Sequence, residues 1–126
     1  MEQYQAGVCN IGGAEVARRR QVAYLGAVLF LAAAAFSIIN NYSAVASLIV
    51  IIPALIFSIG FVQSRKRFCL AYGLMGTFNF AKLGSITKVE DKAALAADRK
   101  TALAILVQSL GLSLALTSAI VLINSL

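Results

Sequence analysis

Three long apolar stretches, separated by polar or charged segments, run along this chain of 126 residues. They cover 22–39, 44–63 and 101–124, and none contains Asp, Glu, Lys, Arg or His. A helix needs about 20 mostly apolar residues to cross the hydrocarbon core of a bilayer. The pattern therefore predicts one all-α integral membrane unit with three spans, flanked by an N-terminal segment at 1–21 and a polar or interfacial segment at 64–100.

The basic residues predict the orientation of the spans. All eleven Lys and Arg residues lie before the first stretch or between the second and the third. By the positive-inside rule, the N-terminus is cytoplasmic and the C-terminus external, most simply in a prokaryotic cell membrane. A secretory signal is the alternative for the first stretch, because Ala44-Val45-Ala46 has the form of a cleavage site. A retained span is preferred, since the stretch is longer than a usual signal.

Local signals mark the ends of the first helix. Asn10 is its predicted N-cap, and the following Glu15 and Arg19 are spaced for a helical ion pair. Asn40-Asn41 predicts the end of the helix, because Asn tolerates the left-handed conformation. The run at 10–15 can also form a backbone nest for an anion, but a turn into a helix is the simpler interpretation.

The later helices carry similar signals. Pro53 removes a backbone donor near the middle of the second span, so a kink is expected there. Thr87 and Glu90 have the spacing of a capping box, which predicts one continuous third helix from about Lys88 to Asn124. At 1.5 Å per residue, such a helix projects well beyond the bilayer core into the cytoplasm.

The segment at 68–81 is apolar and aromatic but too short to cross a bilayer as a helix. Basic residues lie on both sides of it, which favours an interfacial helix at headgroup depth. A re-entrant or protein-packed loop is the alternative, because Gly73 and Gly76 weaken a helix. The aromatic residues predicted to form a docking surface are Phe68, Tyr72, Phe78 and Phe80.

The third span has the composition of a helix-packing surface. Small residues recur four apart in one row and hydroxyl residues in a second row, which lets helices approach closely in lipid. A strongly polar amide in the same span should find a partner across a helix interface. The residues assigned to packing, within one chain or between chains, are Gln108, Ser109, Gly111, Ser113, Ala115, Thr117 and Ala119.

The net charge of +6 lies largely beside the ends of the spans. A basic residue at that depth gains about 1 kcal/mol from anionic headgroups, so anionic lipids are expected partners. The contact patterns of nucleic-acid modules are absent, and no nucleic acid is expected. The predicted lipid contacts are Arg18, Arg19, Arg20, Arg65, Lys66, Arg67 and Lys82.

The two cysteines leave one chemical possibility open. Cys9 precedes a predicted helix and Cys69 follows a basic run, and such surroundings can activate thiols. There is no His and no C-x-x-C spacing, so no cofactor and no metal site is predicted. Cys9 and Cys69 remain the only metal candidates, through thiolates shared between two copies.

This chemistry suits packing better than catalysis. Catalytic groupings that depend on His cannot form, and no ionisable residue lies within a span to mark an ion or substrate path. The leading hypothesis is a non-enzymatic structural or accessory subunit that packs against other membrane subunits or further copies of itself. The alternatives are a cysteine-based redox or metal-binding protein, and a pore formed by oligomerisation and lined by Ser109, Ser113 and Thr117.

Overall fold

Three long helices dominate the structure, a computed structural model that describes residues 3–126. Of the described residues, 71% are helical, and three of the helices that they form are long and apolar enough to cross a membrane. The first, α1, covers Gly13–Ile39; the second, α2, covers Ile51–Lys66 and follows a 3₁₀ helix at Ala46–Val50. A short helix, α3, covers Leu70–Met75, and the long α4 covers Lys92–Ser125. The prediction of three membrane-length helices is confirmed.

The outer surface of these helices is apolar. Leu31 on α1 and both Val107 and Leu122 on α4 are 66%, 67% and 65% exposed. Large aliphatic side chains at this exposure are expensive in water and favourable in lipid. The chain is therefore consistent with a multi-pass membrane protein.

The first helix ends as predicted but begins differently. Asn41 has a left-handed backbone, with φ of 54°, directly after α1. Gly12 precedes the helix without any side-chain cap, and the predicted cap at Asn10 is wrong. Asn10 is instead fully buried, and its amide bonds to the backbone of Cys69. A long-range contact therefore replaces the local one.

Pro53 lies near the start of α2 and not in its middle. The chain is 3₁₀ until Val50, and α2 begins at Ile51, so Pro53 lies in the first turn of α2. Proline is tolerated in a first turn because the backbone donors there have no partner within the helix. Pro53 therefore follows a change of helix type, and the predicted kink stays a prediction.

The segment between α2 and α4 folds back on the protein. Arg67 has a left-handed backbone, with φ of 52°, and ends α2. After α3, strand β1 at Thr77–Phe78 pairs antiparallel with strand β2 at Thr87–Lys88. Thr87 lies in β2 and not at the start of a helix, so the predicted capping box with Glu90 is wrong.

A different residue caps α4. The Asp91 carboxylate accepts a hydrogen bond from the Ala94 backbone N–H at 3.1 Å, and the helix begins at Lys92. Strand pairing by Thr87 moves this start four residues beyond the predicted Lys88. With 34 residues, α4 is roughly 51 Å long, so it still exceeds a bilayer core of about 30 Å.

The second helix lies between the other two long helices. It contacts α1 and α4 extensively, whereas α1 and α4 touch each other little. Glycines bring α1 and α2 close together: a Cβ on Gly26 would lie 2.3 Å from the backbone nitrogen of Phe57. A Cβ on Gly60 would lie 2.7 Å from the backbone nitrogen of Ala23. Close backbone approach therefore holds this pair.

The uncharged end of the bundle is joined by hydrogen bonds. Asn124, near the end of α4, donates to Ser47 Oγ at 2.6 Å and to Ser37 Oγ at 3.2 Å. Ser37 lies in α1 and Ser47 in the 3₁₀ helix, and both are buried. One amide thus connects the three membrane-length segments at this end.

Gly26→Ala should destabilise the bundle, because its Cβ has no space against the Phe57 backbone and overpacking costs about 1–3 kcal/mol. We expect the midpoint of thermal unfolding in detergent to fall by several degrees. The reaction of a thiol dye with buried Cys69 measures the unfolding. Gly111→Ala is the matched control, since its Cβ meets nothing within 4 Å. Equal midpoints for the two variants would refute the close packing of α1 on α2.

Candidate functional site

A buried polar cluster lies at the charged end of the helices. We call it the polar layer and define it as Glu15, Arg19, Cys69 and Tyr72. Glu15 and Arg19, one turn apart on α1, form the predicted ion pair at 2.9 Å. The same guanidinium donates to Cys69 Sγ at 3.0 Å. Arg19 thereby connects the start of α1 to the segment that follows α2.

Tyr72 completes the polar layer from α3. Its hydroxyl donates to the second carboxylate oxygen of Glu15, and the Arg19 guanidinium lies 5.7 Å from the centre of its ring. Burial raises the pKa of Tyr72, and the hydrogen bond to Glu15 raises this pKa further. The phenol therefore stays protonated and remains a donor, so that Glu15 has partners on both oxygens.

Two buried amides hold the chain segments around the polar layer. Asn10 Oδ1 accepts from the Cys69 backbone N–H at 2.6 Å, and Asn10 Nδ2 donates to the Cys69 carbonyl at 3.2 Å. Gln63 Oε1 accepts from the Leu70 backbone N–H at 2.7 Å. A short parallel bridge between Ile11 and Asn79 fixes the N-terminal segment beside β1. The position of Cys69 is thus determined from several sides.

A second buried carboxylate fastens the N-terminal segment to α4. Asp98 is fully buried and accepts from the Tyr4 hydroxyl at 2.6 Å and from the Gly7 N–H at 2.7 Å. The Thr101 hydroxyl donates to the Gly7 carbonyl at 2.6 Å, and Tyr4 stacks on Phe78. Burial, followed by the bond to Asp98, raises the pKa of Tyr4. Hydrogen bonds therefore fasten the segment around Tyr4 and Gly7 to α4.

The geometry gives the polar layer a structural role. Cys69 is only 2% exposed, and its neighbours satisfy one another with hydrogen bonds. Cys9 donates weakly to the Ile11 carbonyl at 3.6 Å. Within residues 3–126, no group of three or more His, Cys, Asp or Glu side chains is arranged to hold a metal ion. Nothing in this arrangement opens the Cys69 sulfur to a substrate.

The packing residues assigned to the third span separate onto two faces of α4. Ser109, Ser113 and Thr117 are buried, in line with Ala102 and Ile105, and contribute to the face toward the other helices. The remaining residues are exposed and form what we call the outer face: Gln108, Gly111, Ala115 and Ala119. The row of hydroxyl residues therefore packs within the chain, and the outer face remains exposed for contact with other molecules.

The predicted lipid contacts lie mostly on the surface. Arg19 differs from the others, because its side chain is 16% exposed and turns into the polar layer. Arg19 lies four residues after Glu15, so it has a carboxylate partner one helical turn away. None of the other assigned basic residues has a carboxylate four residues away. The exposed members are Arg18, Arg20, Arg65, Lys66, Arg67 and Lys82.

The aromatic segment packs inward more than predicted. Phe68 is fully buried between α2 and α4, beside Val62 and Ile105, so its assignment as a docking side chain is wrong. The left-handed turn at Arg67 reverses the chain and directs the next residue into the core. Tyr72 belongs to the polar layer. The partly buried Phe78 and Phe80 pack in contact with each other.

Glu15→Gln should destabilise the protein, because it leaves the Arg19 guanidinium largely buried without a carboxylate. Removing one partner of a buried pair costs about 3–5 kcal/mol, and the residual exposure of Arg19 favours the lower end. We expect a lower unfolding midpoint and faster reaction of Cys69 with a thiol dye in detergent. Glu90→Gln, the same change at an exposed residue, is the control. Indistinguishable variants would show that the polar layer does not hold the fold.

No protein-family model matches the chain, and no curated protein or solved structure matches it either. Function is therefore inferred from the chain's own surfaces and chemistry. The polar layer is largely buried and its members form hydrogen bonds with one another, whereas two other features of the surface are exposed. Those features are the outer face of α4 and the basic residues around the charged end of the helices.

Proposed function

We propose that this protein is a small structural or accessory integral membrane subunit that packs within a larger membrane assembly. The observation that carries the proposal is the outer face of α4, where Gly111, Ala115 and Ala119 are exposed. Small residues at this spacing allow the backbone of another helix to approach closely in lipid. The chain's own helices cover the opposite face of α4, so a helix that packs on the outer face belongs to another subunit or another copy.

Gln108 supports the same proposal. Its amide is exposed and has no hydrogen-bond partner among residues 3–126. It lies roughly 10 Å along the helix from the predicted start of the third span at 101. An unpaired amide facing hydrocarbon is unfavourable, and a bond across a helix interface in a membrane is worth about 0.6–2 kcal/mol. A neighbouring helix on the outer face supplies that partner.

The alternatives have less support. Ser109, Ser113 and Thr117 are enclosed by the chain's own helices, so they are poorly placed to line a pore between copies. A redox role for Cys69 has little support, because Arg19 and Asn10 enclose this residue; Cys9 is a free and partly exposed thiol. No enzymatic activity is proposed, since the buried acids are occupied in structural hydrogen bonds.

We further propose that the charged end is cytoplasmic, in a prokaryotic cell membrane. The contacts from Arg19 to Cys69 and from Asn10 to Arg67 bring the basic regions together at one end. The uncharged end is the one joined by Asn124. The positive-inside rule then gives a cytoplasmic N-terminus and an external C-terminus.

Cysteine labelling tests this orientation. In intact cells, a membrane-impermeant maleimide should modify Ser125→Cys, because the C-terminus faces outward. Lys82→Cys, exposed at the charged end, should be modified only after permeabilisation. The unsubstituted chain measures the background from Cys9 and Cys69. Labelling of Lys82→Cys but not of Ser125→Cys in intact cells would reverse the orientation.

Leucine substitutions test the outer face. Gly111→Leu and Ala115→Leu should each reduce the recovery of an intact complex severalfold, because the larger side chain keeps a second helix away. Native mass spectrometry after mild detergent extraction measures the recovery. Gln108→Leu should also weaken the complex, but less, since it removes one hydrogen bond without adding a steric barrier.

Ala35→Leu is the matched control for Ala115→Leu. Ala35 is exposed on α1, so a Leu side chain at this position would face apolar surroundings, as it would at Ala115. Full assembly of the Gly111→Leu and Ala115→Leu variants would exclude the outer face as the contact. Loss of the complex in Ala35→Leu as well would show a general effect of added bulk.

A further inference from the structure

A groove between α1 and α2 combines a basic end with an apolar floor. It has a volume of about 400 Å³, and its lining includes Arg20, Tyr24 and Ala27 from α1 and Phe57, Phe61 and Arg65 from α2. The two arginines lie at the charged end of the bundle. Ala27 and Phe57 lie seven or eight residues away along their helices, or roughly 10–12 Å deeper. Along its length, the groove therefore changes from cationic to apolar.

The two arginines of the groove have no internal counter-ion. Neither Arg20 nor Arg65 forms an ion pair within residues 3–126, and the groove lining contains no carboxylate. Arg19, adjacent in sequence, differs because Glu15 neutralises it. The Arg65 guanidinium lies 5.7 Å from the centre of the Phe61 ring, a contact that orients it at the groove. Two guanidiniums so placed favour an anion with several oxygen acceptors.

We propose that this groove is a specific binding site for one anionic phospholipid. Its phosphate lies between Arg20 and Arg65, and an acyl chain follows the apolar floor over Ala27 and Phe57. Tyr24, one helical turn from Arg20, also borders the groove, and Tyr is enriched at membrane–water interfaces. A free anion matches the arginines alone, whereas a phospholipid matches both ends of the groove.

This site goes beyond a diffuse attraction of lipids to the basic surface. Of the exposed basic residues, Arg20 and Arg65 are the two that share this groove. Arg18 borders a separate and smaller space, of about 240 Å³, beside Arg19 and Gln63. The proposal requires the protein to lie in a membrane, but it does not depend on an accessory-subunit role. The lipid site involves α1 and α2, whereas the outer face lies on α4.

Native mass spectrometry of the 126-residue chain tests the site, with phosphatidylglycerol titrated into the detergent-purified protein. We expect one tightly retained lipid, and an affinity about tenfold or more weaker in the double variant Arg20→Gln with Arg65→Gln. The control double variant, Lys88→Gln with Lys92→Gln, removes the same charge at exposed residues that neither line the groove nor belong to the predicted lipid contacts, and it should change the affinity less than about twofold. Equal losses in the two double variants would overturn the site in favour of diffuse attraction.

Two further measurements separate the possible ligands. Phosphatidylcholine should bind much more weakly, and millimolar inorganic phosphate should not displace the retained phosphatidylglycerol. Equal retention of phosphatidylcholine would overturn the role of the arginines, and displacement by phosphate would overturn the role of the apolar floor. Gly111→Leu should retain the lipid normally, so failure of the assembly proposal can be distinguished from failure of this one.

Discussion

The Arg19 guanidinium contacts three separate parts of the chain at the charged end of the helices. It pairs with Glu15, bonds to Cys69 and packs against Tyr72, so α1, the segment after α2, and α3 meet around one side chain. Lipid offers helices little hydrophobic reason to associate, because the surrounding acyl chains are as apolar as the side chains. Polar ties near the ends of the spans therefore determine much of the arrangement. Asn124 provides the corresponding tie at the other end.

These ties explain which features the sequence alone could predict. Length and hydropathy predict the three helices, and the spacing of Glu15 and Arg19 predicts their ion pair. The left-handed end of α1 follows from Asn40-Asn41. Each of these signals involves residues that are close in sequence. Asn10 has an equally good local signal as a helix cap, yet its contact with Cys69, 59 residues away, prevails.

The missed residues are those whose partners are far away in sequence. Asp98 lies in a charged run typical of a solvated helix, and only its alignment with Ala94 and Ala102 places it on the inward face of α4. Its partner Gly7 is 91 residues away. Thr87 likewise has a capping pattern that strand pairing with Phe78 overrides. A single sequence contains no information on such long-range pairings. The helical spacing of apolar residues does contain some information on which face of a helix is buried.

The two faces of α4 differ in the polar groups that they carry. Its buried row continues from Asp98 through Ala102 and Ile105 to Ser109, Ser113 and Thr117 at steps of three or four residues. The Ser109 and Thr117 hydroxyls have no hydrogen-bond partner among residues 3–126, so close packing holds this face together. The stronger polar group, the Gln108 amide, lies on the opposite side beside Gly111 and Ala115. Within the chain, small hydroxyl side chains are sufficient for helix packing where α2 already covers them. An exposed amide in a membrane, by contrast, is unfavourable unless a group outside the chain forms a hydrogen bond with it.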